Sequence, residues 1–420
     1  MTNPQNDPKT ALDLTPEEQP ETVSAPEEAE EEATAPATEE TADKEVSESE
    51  DKIKPEDDGE SNGESKDGKK KQRKKLRGWR LVRRILLILL IILLSLTLIA
   101  GCTVLWMYHQ GKSELLQDEI PAITPPDNLA DIDDENRVVY NGVTYEYNQN
   151  VTAILVVGVD KTDIQEDSVY GQNGQADTLF LAALDTDSGN ITIIPLSRET
   201  MVDVDQYAVD GSFLGVQKTQ LCLAYAYGSN GEEGCQNVVR SVSRLLYGVP
   251  INSYLAIDMD GVEAVTDTIG GVPVKALEDV YHPFTKKQIT KKGETITLNG
   301  KDALTYMRHR DNDADANNRR MKRLRQFFTA FINRSGSKIK QDFGLLTDYY
   351  DAAKPYTITN INLSRITYLA GCTLTGNSWQ DPTYLSIAGE SVKGEKHNEF
   401  YADTTSAFEA VLEAFYTPVE

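Results

Sequence analysis

Basic residues crowd into one short segment of a chain that is otherwise strongly acidic. The 420 residues carry a formal net charge of −25, yet residues 308–328 read RHRDNDADANNRRMKRLRQFF. Arg guanidinium groups match phosphate oxygens with pairs of parallel hydrogen bonds. A phosphate or pyrophosphate ligand therefore explains the cluster, and pairing with the acidic surface is the alternative. The basic residues are Arg308, Arg310, Arg319, Arg320, Lys322, Arg323 and Arg325.

Part of this cluster lies on a predicted helix over residues 318–333. At 100° per residue, Arg320 and Arg323 run along one flank of an apolar stripe that must face the core. Arg319 points more outward. Arginines that border a buried face are poorly explained by solubility alone. The stripe consists of Met321, Leu324, Phe328, Phe331 and Ile332.

Carboxylates near predicted strand ends supply the second half of a phosphate site. Asp160 ends the apolar run VTAILVVGVD and Arg198 ends NITIIPLSR, whereas Asp177 opens DTLFLAALD. Asp177 therefore meets Asp160 only if the two strands are antiparallel or if the connecting loop folds back. Mg²⁺ typically takes one or two protein carboxylates together with substrate phosphate oxygens. Asp160 and Asp177 are the candidate Mg²⁺ ligands, although Asp160 could instead cap the following loop.

The acidic run within the basic segment offers a general base. Asp311, Asp313 and Asp315 are candidates for this role or for orienting an arginine, and an ordinary solvated loop is the alternative. Other chemistry has little support: the chain has four His, no GxSxG elbow and no P-loop. Nucleic acid is disfavoured by the acidic charge and by the lack of aromatic residues interleaved with the basic ones.

The first hundred residues predict a tail and a membrane anchor. Residues 1–68 hold almost no large apolar side chains and are expected to be a disordered cytoplasmic tail. Residues 69–84 form a basic juxtamembrane segment beside the apolar run 85–107, which is long enough to cross a bilayer as a helix. Lys and Arg beside a span stay on the cytoplasmic side, so the rest is expected outside the cell. A cleaved signal peptide fits less well, because the basic region starts deep in the chain.

The outer part is expected to be a linker followed by one domain. Residues 108–150 are rich in Pro and Asp and predict a stalk, while residues 151–420 mix strand and helix patterns. That mixture predicts an α/β domain with a mixed central sheet and helices on both faces. The strands are expected at 151–160, 177–185, 190–198 and in SYLAIDMD, and the helices at 235–246, 260–269, 299–307, 318–333 and 404–416.

Three cysteines fall in the outer part of the chain. Cys222, Cys235 and Cys372 would meet an oxidising environment there, and an odd number allows at most one bridge. Cys222 to Cys235 is the economical pairing, since the loop between them contains turn-forming residues. Three buried, unpaired thiols are the alternative.

The order of these pieces resembles the LytR-CpsA-Psr family of bacterial envelope proteins. The resemblance covers about residues 151–333 and the single-span topology. It rests on ILVVGVD, GQADTLFLAALDTDSGNITIIPLSRET, LAYAYG, VSRLLYGVPINSYLAIDMDGVEAVTDTIGGVPV and LNGKDALTYMRHRD followed by RRMKRLRQ.

The resemblance implies an αβα sandwich and a transferase. Such proteins hold a polyprenyl pyrophosphate-linked glycan in an apolar groove, here expected to involve helices after residue 340. They transfer the glycan phosphate to peptidoglycan, with Mg²⁺ at the pyrophosphate. By this resemblance Asp160 and Asp177 match metal ligands, and either Asp313 or Asp315 matches the acidic residue of the last motif. The matching pyrophosphate-binding arginines are Arg198, which is also a candidate catalytic residue, Arg308, Arg310, Arg320 and Arg323.

Three departures from the family pattern bear on activity. Gln175 stands where the family often has Arg, Leu324 replaces a frequent Gln, and the acidic loop differs in length. A missing phosphate contact would have to come from Lys218 or Arg319. Two other functions therefore stay open: a receptor or regulator that binds lipid-linked wall precursors without catalysis, and a hydrolase of the pyrophosphate at the same site.

Overall fold

A computed structural model describes most of the chain beyond the acidic tail. The described residues are 67–116, 121, 123–126, 129–161, 163–310, 316–342, 344–375, 382–395 and 397–419. Residues 1–66 of the predicted disordered tail lie outside them, as do Asp311, Asp313 and Asp315.

The described residues form helices and strands over most of their length. The α-helices are α1 Asp67–Leu115, α2 Gly231–Leu245, α3 Met259–Thr268, α4 Gly300–Arg308, α5 Ala316–Gln341, α6 Leu345–Ala353, α7 Leu363–Thr375 and α8 Thr404–Phe415. The strands are β1 Asp131–Ile132, β2 Val138–Tyr140, β3 Val143–Tyr147, β4 Val151–Val159, β5 Ala176–Asp185, β6 Ile191–Leu196, β7 Met201–Tyr207, β8 Phe213–Gln220, β9 Ser253–Ile257, β10 Val272–Lys275, β11 Val280–Tyr281, β12 Gln288–Thr290, β13 Thr295–Leu298, β14 Thr357–Thr359, β15 Thr383–Tyr384, β16 Gly389–Lys393, β17 Asn398–Ala402 and β18 Tyr416–Val419.

A mixed six-stranded sheet forms the centre of the fold. Its strand order is β14-β9-β4-β5-β6-β15, with β4 antiparallel to β5 and parallel to β9. β4 is almost continuously apolar because both of its faces are covered, as expected for a strand in the middle of a sheet. The predicted α/β class and mixed sheet are confirmed. The predicted strand boundaries agree within two residues, except that the strand in SYLAIDMD ends three residues earlier, at Ile257.

Helices α2 and α8 cover one face of this sheet. Leu155 and Val157 of β4 point into the same buried cluster as Val238 of α2 and Phe408 and Val411 of α8. All five side chains are fully buried. Truncating a buried Phe such as Phe408 to Ala typically costs about 3–5 kcal/mol, so this face supplies much of the stability.

The opposite face is covered at a distance by α3, α4 and α5. These helices pack on a second core with β10 and β13, which includes Leu298, Ala303, Tyr306 and Phe327. The predicted helices on both faces are therefore present. The second layer stands away from the sheet and leaves a cavity, described below.

The folded part begins earlier than residue 151, where the sequence placed its boundary. β1, β2 and β3 lie within the predicted linker and pair with the C-terminal β18 in a four-stranded sheet. Tyr147 and Tyr416 face each other across the β3–β18 pair, with ring centroids 5.4 Å apart. These strands are two to five residues long, too short to give a clear alternating pattern.

The apolar N-terminal helix continues beyond the predicted span. Within the described residues, Gly78–Leu115 is the one helix long and apolar enough to cross a membrane. Its last turns pack on α7: Gly111 lies so close that an added Cβ would sit 2.1 Å from the carbonyl oxygen of Ser364. Glu114 Oε2 pairs with Arg365 Nε at 3.1 Å. The helix end is therefore attached to the domain by side-chain contacts as well as by the chain.

Candidate functional site

Three adjacent strands bring their charged residues to one edge of the sheet. Asp160 directly follows β4, Asp177 is the second residue of β5, and Arg198 follows β6 by two residues. β4 and β5 are antiparallel, with Val159 opposite Ala176 and a hydrogen bond of 3.0 Å from the Asp160 amide to the Gln175 carbonyl. The antiparallel pairing that Asp160 and Asp177 need in order to meet is therefore present.

Arg198 is oriented by three neighbours. It forms an ion pair with Asp177 through Nη1 and donates from Nη2 to the Gln175 side-chain oxygen at 2.6 Å. The Cys222 sulfur lies 3.7 Å from Nη2, and burial raises the pKa of this thiol. The Arg198 side chain remains 30% exposed, so it is held in place and still accessible to a ligand.

The end of α4 adds two more arginines. Arg308 is the last residue of α4, and its Nη2 lies 3.7 Å from Asp160 Oδ1. Both partners are more than half exposed, so this pair contributes little to stability. Arg310, two residues further on, lines the same cavities as Arg198. α4 is fixed by its N-cap Asn299, whose side chain accepts from the Asp302 amide, and by buried Ala303, Tyr306 and Met307.

Arg320 of α5 completes the cluster. Burial lowers the pKa of Arg320, and the positive charges of Arg310, Arg198 and Arg308 lower it further, while Asp177 acts in the opposite direction. An arginine stays protonated in proteins, so the lowered pKa means that the positive charges here repel one another. Such a cluster favours binding of an anion with several negative charges.

Arg323, one turn further along α5, has a different environment. Its side chain is 1% exposed, and it lines neither of the two cavities that Arg198 and Arg310 line. Nε donates to the Tyr306 carbonyl at 2.7 Å, Nη2 donates to the His309 carbonyl, and Nη1 pairs with Glu278. The structure therefore does not bring Arg323 to the arginine cluster, contrary to the expectation from sequence. It binds the chain at the end of α4 and thereby positions Arg308 and Arg310.

Lys218 also lies away from the cluster. It is on β8 of the β7–β8 hairpin, opposite Asp203, with an exposed side chain, and it lines none of the described cavities near Arg198. Arg319 forms an ion pair with Glu278, because its Nε lies 3.3 Å from Glu278 Oε2. The expected roles of Asp313 and Asp315 stay predictions, because both residues lie outside the described part of the chain.

The arginine cluster stands where two cavities of different character meet. One cavity, of about 470 Å³, is mostly apolar, and the other, of about 850 Å³, is lined about equally by polar and apolar groups. The residues that line both are Asp177, Thr178, Arg198, Arg310, Arg320 and Leu324. An amphipathic ligand with an anionic centre would match this arrangement, since each of its parts would meet a surface of its own kind.

The apolar cavity lies between the sheet and the second helical layer. Val156, Phe180 and Leu255 line it from the sheet, Val262 from α3 and Phe328 from α5. Phe180 and Phe328 are in edge contact, with ring centroids 4.7 Å apart. The helices after residue 340, which were expected to line such a groove, contribute only a small part of its lining. Of that later region, Ala353 and Thr357 contribute to the lining.

The carboxylates of Asp160 and Asp177 fit a metal site that a ligand completes. Among the described residues there is no group of three or more His, Cys, Asp or Glu side chains that could hold a metal ion. Asp160 and Asp177 stand at neighbouring strand ends beside the arginine cluster. Two carboxylates suit Mg²⁺ when phosphate oxygens and water supply the remaining ligands. The residues present thus fit a metal that arrives with a phosphate ligand.

The two cysteines of the predicted bridge are unpaired. Cys222 and Cys235 are both free and buried, so the economical pairing from sequence is wrong and the alternative of buried thiols holds. Cys222 lies beside Arg198, whereas Cys235 lies in the α2 core cluster, where burial raises its pKa. Cys372 is buried and packs with Leu115 and Tyr368.

Sequence reasoning missed one part of the site. The β16–β17 hairpin forms a wall of the polar cavity through Ser391, Lys393, Asn398 and Phe400. The available signal was two short extended segments, GESVK and NEFYA, around a Gly-containing turn. Nothing in those segments indicates that they fold next to residues almost 200 positions earlier.

Comparison with known proteins agrees with this architecture. The model of the LytR_cpsA_psr family matches residues 126–411. The chain is 28% identical over 246 residues to the polyisoprenyl-teichoic acid–peptidoglycan teichoic acid transferase TagV of Bacillus subtilis. The aligned region covers 57% of this chain and 58% of TagV. It is 26% identical over 244 residues to TagU of Bacillus licheniformis, covering 57% and 66%. The chain thus spans less than two thirds of the length of these curated relatives.

A solved structure shows the same fold. The crystal structure of protein gbs0355 from Streptococcus agalactiae matches with a TM-score of 0.51 at 18% identity, covering 63% of this chain and 88% of that one. The mixed sheet with helices on both faces is therefore shared with a natural protein of low sequence identity.

Proposed function

The chain belongs to the LytR-CpsA-Psr family, and we propose that it is a membrane-anchored transferase acting on polyprenyl pyrophosphate-linked glycans. It moves the glycopolymer phosphate from the lipid carrier to peptidoglycan. The observation that carries this proposal is the arginine cluster of Arg198, Arg310 and Arg320 at the junction of an apolar and a polar cavity. The relatives TagV and TagU are named as teichoic acid transferases, which supports the same reaction type.

Each part of the donor has a matching surface. The apolar cavity takes the polyprenyl chain, because Val156, Leu255 and Phe328 offer hydrocarbon contacts and few polar groups. The diphosphate lies at the arginines, where paired N–H groups match its oxygens. The glycan then extends into the polar cavity. A free nucleotide or inorganic pyrophosphate would leave the apolar cavity without a partner.

The reaction follows from this placement. A hydroxyl oxygen of peptidoglycan attacks the phosphorus that bears the glycan, and a new P–O bond forms as the bond to the bridging oxygen breaks. Polyprenyl phosphate leaves with the electron pair of that bond. Arg198, Arg310 and Arg320 stabilise the negative charge on the phosphoryl oxygens and on the leaving phosphate. The hydroxyl proton passes to a carboxylate, for which Asp313 and Asp315 remain the candidates from sequence.

Asp160 and Asp177 are the residues that would hold Mg²⁺. A bound Mg²⁺ supplies charge neutralisation and alignment of the diphosphate oxygens. Arg308 pairs with Asp160 and Arg198 pairs with Asp177. These pairs hold the two carboxylates in place, and both arginines are available to turn toward a phosphate ligand.

The membrane helix and its basic flank support a location of this chemistry outside the cell. Helix Gly78–Leu115 serves as a single-pass anchor, and the basic block at residues 69–84 keeps the N-terminus in the cytoplasm. The folded domain then faces the peptidoglycan, and its donor is drawn from the same membrane that holds the anchor. Protease digestion of intact cells tests this orientation, since the outer domain should be cleaved and the tail protected.

Two of the three departures from the family pattern, Gln175 and Leu324, are residues of the site. Gln175 accepts a hydrogen bond from Arg198, and Leu324 lines both cavities. The arginine cluster is present beside both residues, which supports the transferase over the receptor alternative. The hydrolase alternative uses the same residues and differs only in the acceptor, which is water.

A transfer assay tests the proposal. Full-length protein in detergent is given a polyprenyl pyrophosphate-linked glycan and peptidoglycan, and the glycan attached to peptidoglycan is measured. Charged hydrogen bonds contribute roughly 1.5–3 kcal/mol each, so the Arg198→Ala, Arg310→Ala double variant should lose at least about 100-fold in rate. Lys340→Ala, an exposed position on α5, is the matched control. Unchanged transfer in the double variant would sink the proposal, and release of glycan phosphate without acceptor would favour the hydrolase.

A further inference from the structure

The β16–β17 hairpin presents two chemically different faces. The pairing register sets Ser391 opposite Phe400 and Lys393 opposite Asn398. Directly opposed residues point to the same side of a two-stranded ribbon, so these four side chains share one face. All four line the polar cavity. Of the neighbouring positions on the other face, Glu390, Glu399 and Tyr401 do not line the cavity, whereas Val392 does.

The charges of the hairpin are separated between these faces. Its two strands contain one cation and two acids. The cation, Lys393, is on the cavity face, and the acids, Glu390 and Glu399, are on the outer face. Glu399 accepts a hydrogen bond of 2.7 Å from Tyr401, its neighbour on that outer face. The cavity face thus combines a hydroxyl, an amide, an aromatic ring and a positive charge.

The hairpin is fixed to the loop that carries Arg198. The Phe400 amide donates to the Glu199 carbonyl at 2.9 Å, and the Gln220 side-chain amide donates to the Asn398 carbonyl at 2.6 Å. Gly389 makes room for the Phe400 ring, because an added Cβ would meet its Cζ at 2.5 Å. One backbone hydrogen bond and one hydrogen bond from the Gln220 side chain therefore fix the hairpin next to the loop that carries Arg198.

From this arrangement we propose that the cavity face of the hairpin binds the sugars next to the diphosphate and thereby selects the glycan. The proposal rests on the proposed function, since it takes the arginine cluster as the diphosphate site. Asn398 and Ser391 donate to and accept from sugar hydroxyls, and the Phe400 ring packs against a sugar ring. Lys393, opposite Asn398 at the turn end of the hairpin, binds an anionic group carried by the glycan.

The donor glycan is the occupant that the geometry favours. The polar cavity is continuous with Arg198, Arg310 and Arg320, so a glycan attached to a diphosphate bound at these arginines extends directly into it. The apolar cavity opens on the other side of the same arginines and takes the lipid end. An acceptor bound at the hairpin instead would leave donor affinity independent of these side chains.

Three synthetic ligands test the subsite with full-length protein in detergent. The first is a short-chain polyprenyl diphosphate without sugar, the second carries a neutral disaccharide, and the third carries the same disaccharide with a terminal phosphate. Asn398→Ala should weaken binding of both glycosylated ligands by about 3- to 10-fold, the effect of one lost hydrogen bond, and should leave the sugar-free ligand unchanged. The Asn398 backbone carbonyl that anchors the hairpin is retained in this variant.

Lys393→Gln should weaken only the phosphorylated ligand, by about 2- to 5-fold, as expected for an exposed ion pair. Glu390→Gln, on the outer face, is the matched control and should bind all three ligands like the wild type. Equal losses for the sugar-free and glycosylated ligands, or no losses, would overturn the subsite and leave the proposed function standing. Failure of the wild type to bind any of the ligands would remove both proposals.

Discussion

Arg323 offers a sharp test because its role differs from that of its helical neighbour Arg320. Arg323 is fully buried and bonds to Glu278 and to the carbonyls of Tyr306 and His309. Replacing Arg323 by Met keeps most of the side-chain volume. It leaves the Glu278 carboxylate, which is only 18% exposed, with a weaker partner. Breaking a buried pair costs about 3–5 kcal/mol, and Arg319 near Glu278 Oε2 reduces that cost. We expect about 3 kcal/mol.

Thermal unfolding of the full-length protein in detergent, followed by tryptophan and tyrosine fluorescence, measures this effect. A loss of about 3 kcal/mol corresponds to a decrease in Tm of roughly 6–12 °C for a domain of this size. Arg320→Met should lower the Tm much less, because the positive charges of its neighbours Arg310, Arg198 and Arg308 repel its own in the folded state, whereas Arg323 pairs with a carboxylate. Arg320→Met should instead reduce diphosphate binding. A wild-type Tm for Arg323→Met, or equal decreases for both variants, would refute the assigned roles.

Other parts of the site give further predictions. Gln175→Ala removes the hydrogen bond that orients Arg198 and should slow transfer about 5-fold. Gln175→Glu keeps an acceptor oxygen and should restore the rate. Equal transfer rates for the wild type and both variants would contradict this role. Leu255→Asp places a charge in the apolar cavity and should abolish binding of a polyprenyl diphosphate while leaving affinity for inorganic pyrophosphate intact; parallel losses would place the lipid elsewhere. Thiol titration of denatured, unreduced protein should find Cys222 and Cys235 free. A protein mass lower by the two hydrogens that a disulfide loses would disprove the unpaired state.

The sequence was most informative where a residue lies within or directly beside a regular element. The continuous apolar run of β4 indicated a strand covered on both faces, and Asp160 at its end was placed correctly. Asp177 could be placed only conditionally, because strand direction depends on pairing with a partner. The antiparallel β4–β5 pair then brought the two carboxylates to one edge. Periodicity also located α5 and the flank on which Arg320 lies.

Sequence was least informative where a role depends on a distant partner. Arg320 and Arg323 have the same position relative to the apolar stripe, yet Arg323 pairs with Glu278, which is 45 positions away on a short loop. Helical periodicity gives the direction of a side chain but not what occupies that direction. The short strands of the predicted linker were missed for a similar reason, since their partner β18 is at the other end of the chain.

The central claim is that Arg198, Arg310 and Arg320 form a diphosphate site between a lipid cavity and a glycan cavity. Native mass spectrometry of the full-length protein with a polyprenyl diphosphate, with Mg²⁺ or with EDTA, tests it most directly. The account predicts a one-to-one complex in the wild type and in Lys340→Ala, and its loss in Arg198→Ala and Arg320→Ala. A complex of equal stability in all four proteins would contradict the account.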